Sequence, residues 1–455
     1  MKLALRLVNI WKAEKMKYVL PAIGSVAAIA LFAFSSTNQT ALAVEPASNT
    51  NTFEQLDLFA DVLARVRTDY VVDVNDAELI ENAMNGMLQS LDPHSSYVTP
   101  EQFKELQVTT SGEYGGLGME VTMEEGFVKV IAPIDETPAK RAGIKAGDYL
   151  TEINGKSILG LSLTEAVKQM RGKPGEDITV TVVREDEDPK DITITREVIK
   201  RVVVKNEIKD GIGYIRLAQF NDKAEEGLID SIKSLKKEFG GNIPGIVLDL
   251  RANPGGLLDQ SIKVSSVFLD GGEIVSTRGR VASDTQRYNG EAGELAEGVP
   301  LIVLIDGASA SASEIVAGAI QDRGRGIVVG MPTFGKGSVQ SVIPLRGGRD
   351  GALRMTTQRY YTPSGRSIQG TGIDPDIAIA SEPDDGKADR RRREADLPNA
   401  ILNEKALAEE ENKEELVIDY PAEDFDVEQD YQLQKAIAIL KGGQYASTLA
   451  ALQQG

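Results

Sequence analysis

The chain has 455 residues and a formal net charge of −19, with 69 acidic side chains against 50 basic ones. This excess of acid disfavours nucleic acid as a ligand, because phosphate binding depends on clustered lysine and arginine. The chain has no cysteine and one histidine, His94, which excludes disulfides, thiolate or multi-histidine metal sites and a cysteine nucleophile. We therefore expect neither a metal ion nor a cofactor.

The N-terminal segment has the pattern of a secretory signal. Basic residues precede an apolar run over residues 18–34, and Ala-Leu-Ala follows at 41–43, which is the order found in export signals. An uncleaved membrane anchor is the alternative, because the run nearly reaches the ~18 residues of a membrane span. We expect residues 1–43 to be one or the other, and the rest of the chain to act in the periplasm or outside the cell.

Helical periodicity follows a short polar linker. Apolar residues recur at steps of three or four over 53–66 and again over 76–91, where Asp76 is the predicted N-cap. These patterns predict an N-terminal helical domain over residues 50–106. The turn-rich stretch "LDPHSSYV" lies within it, and its His94 is interpreted as structural because the sequence shows no partner for it.

Short strands and one amphipathic helix, "SLTEAVKQMRG", fill residues 107–187. Their order and the sequence "TPAKRAGIKAGDYLTEINGK" resemble a PDZ domain. By that resemblance "YGGLGMEV" (114–121) forms the loop that binds a peptide carboxylate and the strand that pairs with the peptide. The alternative is that its apolar side chains only fill the core. The implied peptide-binding residues are Gly115, Gly116, Leu117, Gly118 and Met119.

From residue 188 to residue 380, short apolar strands alternate with amphipathic helices, which predicts an α/β core with buried strands. The last segment, 381–455, is highly charged. Its runs "RRRR" (390–393) and "EEENKEE" (409–415) are interpreted as solvated linkers, and one final helix is predicted over 428–442.

A glycine-flanked lysine raises the question of a nucleotide site. Gly330-x-x-x-x-Gly335-Lys336 looks like a phosphate-binding loop, but Gly337 stands where that loop needs Ser or Thr for Mg²⁺. The alternating, β-branched residues that follow predict a strand rather than the helix that would bind phosphate. A nucleotide hydrolase is therefore the weaker alternative. Apolar neighbours can bury Lys336, lower its pKa and make it a general base.

A serine that such a base could activate lies upstream. "LIVLIDGASASASEIVAGAIQ" reads as a strand, a small-residue turn and a helix, so that Ser309, Ser311 and Ser313 all lie near a helix N-terminus. Ser311 has a second interpretation as the N-cap of a capping box with Glu314. The turn "NPGG" at 253–256, after another apolar strand, could offer a backbone N–H to the same site.

Taken in order, several motifs resemble the carboxy-terminal processing proteases, the tail-specific serine peptidases with a Ser–Lys dyad. They cover roughly residues 53–380: "LDPHSSYV", the PDZ signature, "MRGKPG", "LDLRANPGGLL", "ASASASEIVAGAIQDRGRG", "TFGKGSVQ" and "YYTPSGRSIQGTGIDPDI". The resemblance implies an α/β multidomain protein in which a PDZ domain is inserted before an α/β protease core with flanking helical segments. It also implies site residues: Ser311 as nucleophile, Lys336 as general base, Gln340 as the residue that orients the lysine, an oxyanion hole from the N–H groups of Ala312 and of Gly255 or Gly256, and Arg171 as a link between the PDZ domain and the core.

The implied function is that of an exported serine endopeptidase that recognises protein C-termini. Its partners would be proteins or peptides with apolar C-termini. An adaptor protein and assembly into a homo-oligomer are further expectations for the flanking helical segments, for which ordinary domain packing is the alternative. A non-catalytic PDZ scaffold on a degenerate hydrolase fold is the alternative function.

Overall fold

The computed structural model describes residues 49–184, 187–384, 392–403, 416–426 and 428–453. The predicted signal or anchor segment lies outside the described residues, as do the acidic run 409–415 and part of the arginine run. Within the described ranges, no helix combines the length and the apolar character that crossing a membrane requires.

The chain divides into two units between Asp73 and Val74. The described part of the first unit contains one helix, α1 (Asn49–Asp69), and the second begins with α2 (Asp76–Gln89), β1 (Ser96–Val98) and α3 (Pro100–Ser111). The boundary between the two units falls within the segment 50–106 that was predicted as a helical domain. Asp76 is not the N-cap of α2. Asn75, in an extended conformation, holds that position and its side chain accepts a hydrogen bond from the N–H of Ala77.

The next part of the second unit is a small β-domain with two short helices. Its main sheet has the order β3-β4-β5-β7-β8, so β3 lies at an edge, and β2 pairs separately with β9. Alternate residues of these strands are buried in one apolar core, as the period-two pattern predicts. The elements are β2 (Glu113–Gly116), β3 (Met119–Glu124), β4 (Phe127–Pro133), α4 (Pro138–Arg141), β5 (Tyr149–Ile153), β6 (Lys156–Ser157), α5 (Leu163–Met170), β7 (Asp177–Val183), β8 (Lys190–Thr195) and β9 (Glu197–Lys200).

The α/β core follows, and it has two sheets. The first has the order β10-β11-β12-β15-β16-β19 and is parallel except for β10, while the second has the order β1-β18-β13-β14 with β17 paired to β18. The elements are β10 (Val204–Lys209), β11 (Ile212–Leu217), α6 (Ala224–Glu238), β12 (Ile246–Asp249), α7 (Leu258–Ser266), β13 (Glu273–Arg278), β14 (Gln286–Asn289), β15 (Leu301–Ile305), α8 (Ala312–Asp322), β16 (Ile327–Gly330), β17 (Ser338–Pro344), β18 (Ala352–Tyr361) and β19 (Ile377–Ala378).

Two features of this core position the site. The apolar strands β12, β15 and β16 are fully buried, and the loops at their carboxyl ends carry Gly255, Ser311 and Lys336. The segment after Lys336 is the strand β17, so the prediction of a strand in place of a phosphate-binding helix is confirmed. The α/β character of the core is confirmed as well.

The tail differs from the prediction in two ways. Its described residues contain two α-helices, α9 (Tyr431–Lys441) and α10 (Tyr445–Leu452). The first corresponds to the helix predicted over 428–442, and the second, which follows Gly442 and Gly443, was not predicted. Next to the arginine run, which was interpreted as solvated linker, Glu394 is completely buried, and solvation therefore does not extend to that residue.

Candidate active site

Ser311 forms the sharp turn between β15 and α8. Its backbone has φ +56° and ψ −111°, a region that side-chain-bearing residues rarely enter and that costs about 1–3 kcal/mol. The following helix is buried along almost its whole length, so surrounding packing maintains the strained turn. Such a turn projects the Ser311 side chain at the positive end of a helix.

The three candidate serines have different environments. The Ser309 hydroxyl donates to the carbonyl of Leu250 (2.9 Å), and the Ser313 hydroxyl donates to the carbonyl of Asn253 (2.9 Å). Both of these serines are fully buried, and their hydroxyls hold the loops after β12 and β15 together. Ser311 retains 8% exposure, and its hydroxyl, unlike those of Ser309 and Ser313, donates no hydrogen bond to another described residue, so among the three it is the one available for chemistry.

The glycine turn at 253–256 lies directly against Ser311. A Cβ atom on Gly255 would stand 2.6 Å from the carbonyl oxygen of Ala310, so only glycine fits there. The Gly255 N–H already donates to Asn253 Oδ1 (2.9 Å). Within the described part of the chain, the N–H groups of Gly256 and Ala312 make no hydrogen bond. Of the two glycines considered, Gly256 therefore has the N–H that can serve an oxyanion.

A buried carboxylate joins the serine turn to the lysine loop. Glu314 Oε2 accepts from the N–H groups of Ser311 (2.6 Å) and Lys336 (2.9 Å). Its Oε1 accepts from the N–H of Gly335 (2.7 Å) and the hydroxyl of Thr333 (2.6 Å). Burial raises the pKa of Glu314 to about 7, against the opposing effect of these four donors. The capping interpretation thus describes only part of what Glu314 does.

Lys336 has the properties of a base rather than those of a surface cation. Burial lowers the pKa of Lys336 to about 8, although the carboxylates of Glu394 and Glu314 act in the opposite direction. The Lys336 ammonium donates to Gln340 Oε1. The amide group of Gln340 donates in turn to the hydroxyls of Thr356 (3.1 Å) and Ser338 (3.0 Å), which turns its oxygen toward the lysine. The structure thus brings Lys336 and Gln340 together.

A cleft of about 570 Å³ opens beside these groups, with Gln340 and Gly256 in its wall. Its other lining comes from α3, from the loops after β11 and β12, from β17 and from Arg354 of β18. Much of that lining is apolar, which suits an uncharged stretch of polypeptide. The apolar lining residues are Phe103, Leu106, Phe220, Leu257, Val342 and Pro344.

The residues predicted to bind peptide fall in two places. Gly115 and Gly116 lie in β2, paired with β9, so they do not belong to the loop that precedes the edge strand. Leu117 is buried and Gly118 has φ +79°, packed against the side chain of Thr137, while Met119 begins the edge strand β3. The part of the predicted set that adjoins the edge strand is therefore residues 117–119, which are the two loop residues and the first residue of β3.

Arg171 ends the helix α5 and stacks on the ring of Tyr114, with 4.8 Å from the guanidinium carbon to the ring centroid. The next residue, Gly172, donates its N–H to the carbonyl of Gly115. The end of α5 is thus joined to β2, the strand that leads into the β-domain from α3.

Sequence reasoning missed three contributors to this site. Asn253 holds the glycine turn, and its side chain also donates to the carbonyl of Leu217 (2.8 Å). Glu314 was noticed only as a cap, although a charged residue in an otherwise apolar buried helix is itself a signal. Glu394 lies in a segment that reads as linker, and its burial has no local sequence signal.

Comparison with known proteins identifies the family of the chain. The profile of peptidase family S41 matches residues 211–379, the PDZ domain profile matches residues 115–195, and the profile described as the N-terminal domain of the activating protease CtpB matches residues 19–102. A carboxy-terminal-processing protease of Bartonella bacilliformis is 54% identical over 331 residues, which cover 72% of this chain and 76% of that protein.

A CtpA-like serine protease of Staphylococcus aureus, named as probable, is 35% identical over 373 residues, covering 80% of this chain and 73% of that protein. Among solved structures, the photosystem II D1 C-terminal processing protease matches with 27% identity and a TM-score of 0.41, covering 72% of this chain and 93% of the other. The chain therefore belongs to the carboxy-terminal-processing proteases of peptidase family S41, and it is a serine-type endopeptidase with a PDZ domain.

Proposed function

We propose that this protease cleaves peptide bonds with Ser311 as nucleophile and Lys336 as general base. One observation carries the proposal: a single buried carboxylate, that of Glu314, accepts hydrogen bonds from the backbone N–H groups of both residues. This arrangement fixes the base loop against the nucleophile turn. The lowered pKa of Lys336, about 8, supports the same assignment because a base must be neutral to accept a proton.

The reaction proceeds in two halves. The neutral amine of Lys336 takes the proton of the Ser311 hydroxyl as Ser311 Oγ attacks the carbonyl carbon of the substrate. The negative charge that develops on the substrate oxygen is stabilised by the N–H groups of Ala312 and Gly256. Lys336 then gives the proton to the leaving amine, which departs and leaves an acyl group on Ser311. In the second half, Lys336 takes a proton from water as the water oxygen attacks the ester carbon, and it returns that proton to Ser311 Oγ as the acid product leaves.

Gln340 has the role of orienting the lysine. Because its own amide group is held by Thr356 and Ser338, its oxygen stays directed at the Lys336 side chain. A neutral partner suits this position. An anion there would favour the protonated lysine and remove the base.

The PDZ domain selects the substrate. Its strand β3 lies at an open sheet edge and follows the loop 117–119, so an extended C-terminus can add to the sheet with its carboxylate at that loop. Met119 and Val121 of β3, with Leu163 and Val167 of α5, are partly buried against the domain core. Their apolar surface favours a C-terminal residue that is itself apolar. When a peptide binds between β3 and α5, Arg171, stacked on Tyr114, would pass the resulting change to the protease core.

Export to the periplasm or beyond is part of the proposal, supported by the basic residues and the apolar run before residue 43. Fusion of residues 1–43 to a reporter that is active only outside the cytoplasm tests it, and a reporter retained in the cytoplasm contradicts it. Assembly into a homo-oligomer and recruitment of an adaptor stay predictions.

The test of the catalytic assignment is Ser311→Ala, assayed on a peptide with an apolar C-terminus. We expect kcat/KM to fall by about 10⁴ or more, with peptide binding to the PDZ domain unchanged. Ser313→Ala is the matched control, because Ser313 lies two residues away and its hydroxyl binds the carbonyl of Asn253 instead. It should retain most of the activity. Unchanged cleavage by Ser311→Ala contradicts the proposal, and absence of cleavage by the wild-type chain would favour the scaffold alternative.

A further inference from the structure

The segment 392–403 of the tail returns to the catalytic centre. Glu394 is completely buried there, and its backbone N–H donates to the carbonyl of Phe334 (3.0 Å), two residues before Lys336. A carboxylate is rarely buried to this degree without dedicated partners. The hydrogen-bond partners of the Glu394 carboxylate show which parts of the active site this segment contacts.

The Glu394 carboxylate contacts two side chains from other parts of the chain. His94 Nε2 lies 2.8 Å from Glu394 Oε2 and 3.0 Å from Oε1, and Gln369 Nε2 donates to Oε1 (3.1 Å). The oxygen of the same Gln369 amide accepts from the N–H of Gly337 (3.1 Å). Glu394 therefore reaches the lysine loop twice, through Phe334 on one side of Lys336 and through Gly337 on the other.

The turn that carries His94 is tied to the other side of the lysine. Asp92 Oδ1 accepts from the N–H groups of His94 and Ser95 (2.8 Å each), and Ser95 Oγ donates to Asp92 Oδ2 (2.6 Å). Ser95 Oγ also accepts from the N–H of Thr356 (3.1 Å), and the hydroxyl of Thr356 holds the amide of Gln340. A continuous series of hydrogen bonds thus surrounds Lys336, from Gln340 through the 92–95 turn and Glu394 to Gly337.

We propose that Glu394 is a positioning residue of the active site: held by His94 and Gln369, it fixes the loop 334–337 and supplies a negative charge that Lys336 faces. The proposal rests on the proposed role of Lys336 as the base. It also assigns a function to His94 and to the tail segment 392–403, which lies outside the sequence motifs of the family.

The charged groups around Lys336 determine whether loss of the Glu394 charge raises or lowers the pKa of Lys336. They are Glu394 from the tail, Glu314 from α8, Asp92 from the turn before β1, and Arg354 from β18. Burial is the largest influence and favours the neutral amine, as does Arg354, whereas the three carboxylates favour the ammonium. His94, paired with Glu394, adds a positive charge when it is protonated. Removing the charge of Glu394 therefore lowers the pKa of Lys336.

The test is the pH dependence of kcat/KM for Glu394→Gln and Glu394→Asp. Glu394→Gln keeps the shape but removes the charge, and we expect the acidic limb to move to lower pH, so that activity at pH 6 relative to the plateau rises about three- to tenfold. Glu394→Asp keeps the charge but shortens the reach to His94. We expect a lower kcat, a similar KM and an acidic limb that stays in place.

Asp396→Asn is the matched control, since Asp396 lies in the same short turn of helix, is exposed and loses the same charge. It should leave the profile unchanged. An acidic limb that does not move in Glu394→Gln, or that moves equally in Asp396→Asn, overturns the charge effect, and full kcat in Glu394→Asp overturns the positioning. If Glu394→Gln does not fold, Glu394→Asp still decides whether this contact sets kcat. A wild-type profile without any acidic limb instead refutes Lys336 as the base.

Discussion

The substitution Gln340→Glu replaces a side-chain amide with a carboxylate next to the proposed base. Gln340 Oε1 accepts from the Lys336 ammonium, and a glutamate of the same shape would place a carboxylate at that position. The hydrogen bond to Lys336 would become an ion pair, while the bonds from Thr356 and Ser338, whose hydroxyls can also donate, need not be lost. The perturbation is therefore mainly electrostatic.

Its magnitude follows from the pKa of Lys336. With a pKa of about 8, about half of the lysine is neutral at pH 8. A carboxylate in direct contact raises the pKa of an ammonium by about 1–3 units. A rise of about 2 units leaves about 1% neutral at pH 8, so kcat/KM should fall about 50-fold at that pH and return to within about twofold at pH 10.

The assay is kcat/KM for an apolar-tailed peptide between pH 6 and pH 10.5, with thermal unfolding measured at each pH. Gln286→Glu is the matched control, because Gln286 is exposed on another strand of the same sheet and its Oε1 accepts from the hydroxyl of Tyr288 (2.6 Å). It should leave the profile unchanged. A Gln340→Glu profile with an unshifted acidic limb, or one that stays low at high pH in a folded protein, refutes the reasoning about the base.

Three further substitutions test other contacts. Gly255→Ala places a Cβ 2.6 Å from the carbonyl of Ala310 at φ +95°, so displacement of the serine turn should lower kcat/KM about 100-fold, and wild-type kinetics would contradict the packing described. Arg251→Met removes the bidentate partner of the buried Asp249 carboxylate, which keeps its bonds from Arg216 and Tyr214, and should lower the free energy of unfolding by about 2 kcal/mol in urea denaturation, whereas an unchanged midpoint would show the pair to be neutral. Gly118→Ala, at φ +79°, should weaken peptide binding, measured by fluorescence anisotropy, about tenfold or more without changing the site at Ser311. Unaltered affinity would exclude the loop 117–119 as the carboxylate site.

Local patterns predicted the parts of the site that lie on single elements. The small-residue turn before α8 and the β-branched residues after Lys336 are short-range signals, and the structure has a strained turn at Ser311 and the strand β17 in those places. Fully apolar runs predicted the buried strands β12, β15 and β16 for the same reason. In each case the residues that determine the conformation are neighbours in sequence.

The side chains that connect these elements to one another could not be predicted from local sequence patterns. His94 and Glu394 are 300 residues apart, and the sequence around each is typical of a turn or a solvated segment. Burial of a carboxylate depends on which distant donors the tertiary fold supplies, and periodicity contains no information about that. The same limit applies to Glu314, whose sequence position indicated a cap but not its bonds to the loop 333–336.

Glu314 holds the serine turn and the lysine loop in place, but its ionisation lowers the stability of the fold at the pH where the proposed base is neutral. Its pKa in the folded chain, about 7, lies above the ordinary glutamate value of 4.5, so the folded state holds the proton more tightly than the unfolded chain. Stability therefore falls by about 3 kcal/mol as pH rises from the unfolded pKa to the folded one. The proposed base becomes neutral only at still higher pH, near 8. The enzyme would thus work with Glu314 ionised, in the state that its burial disfavours, because only the ionised carboxylate can accept from all four donors that join the serine turn to the loop 333–336.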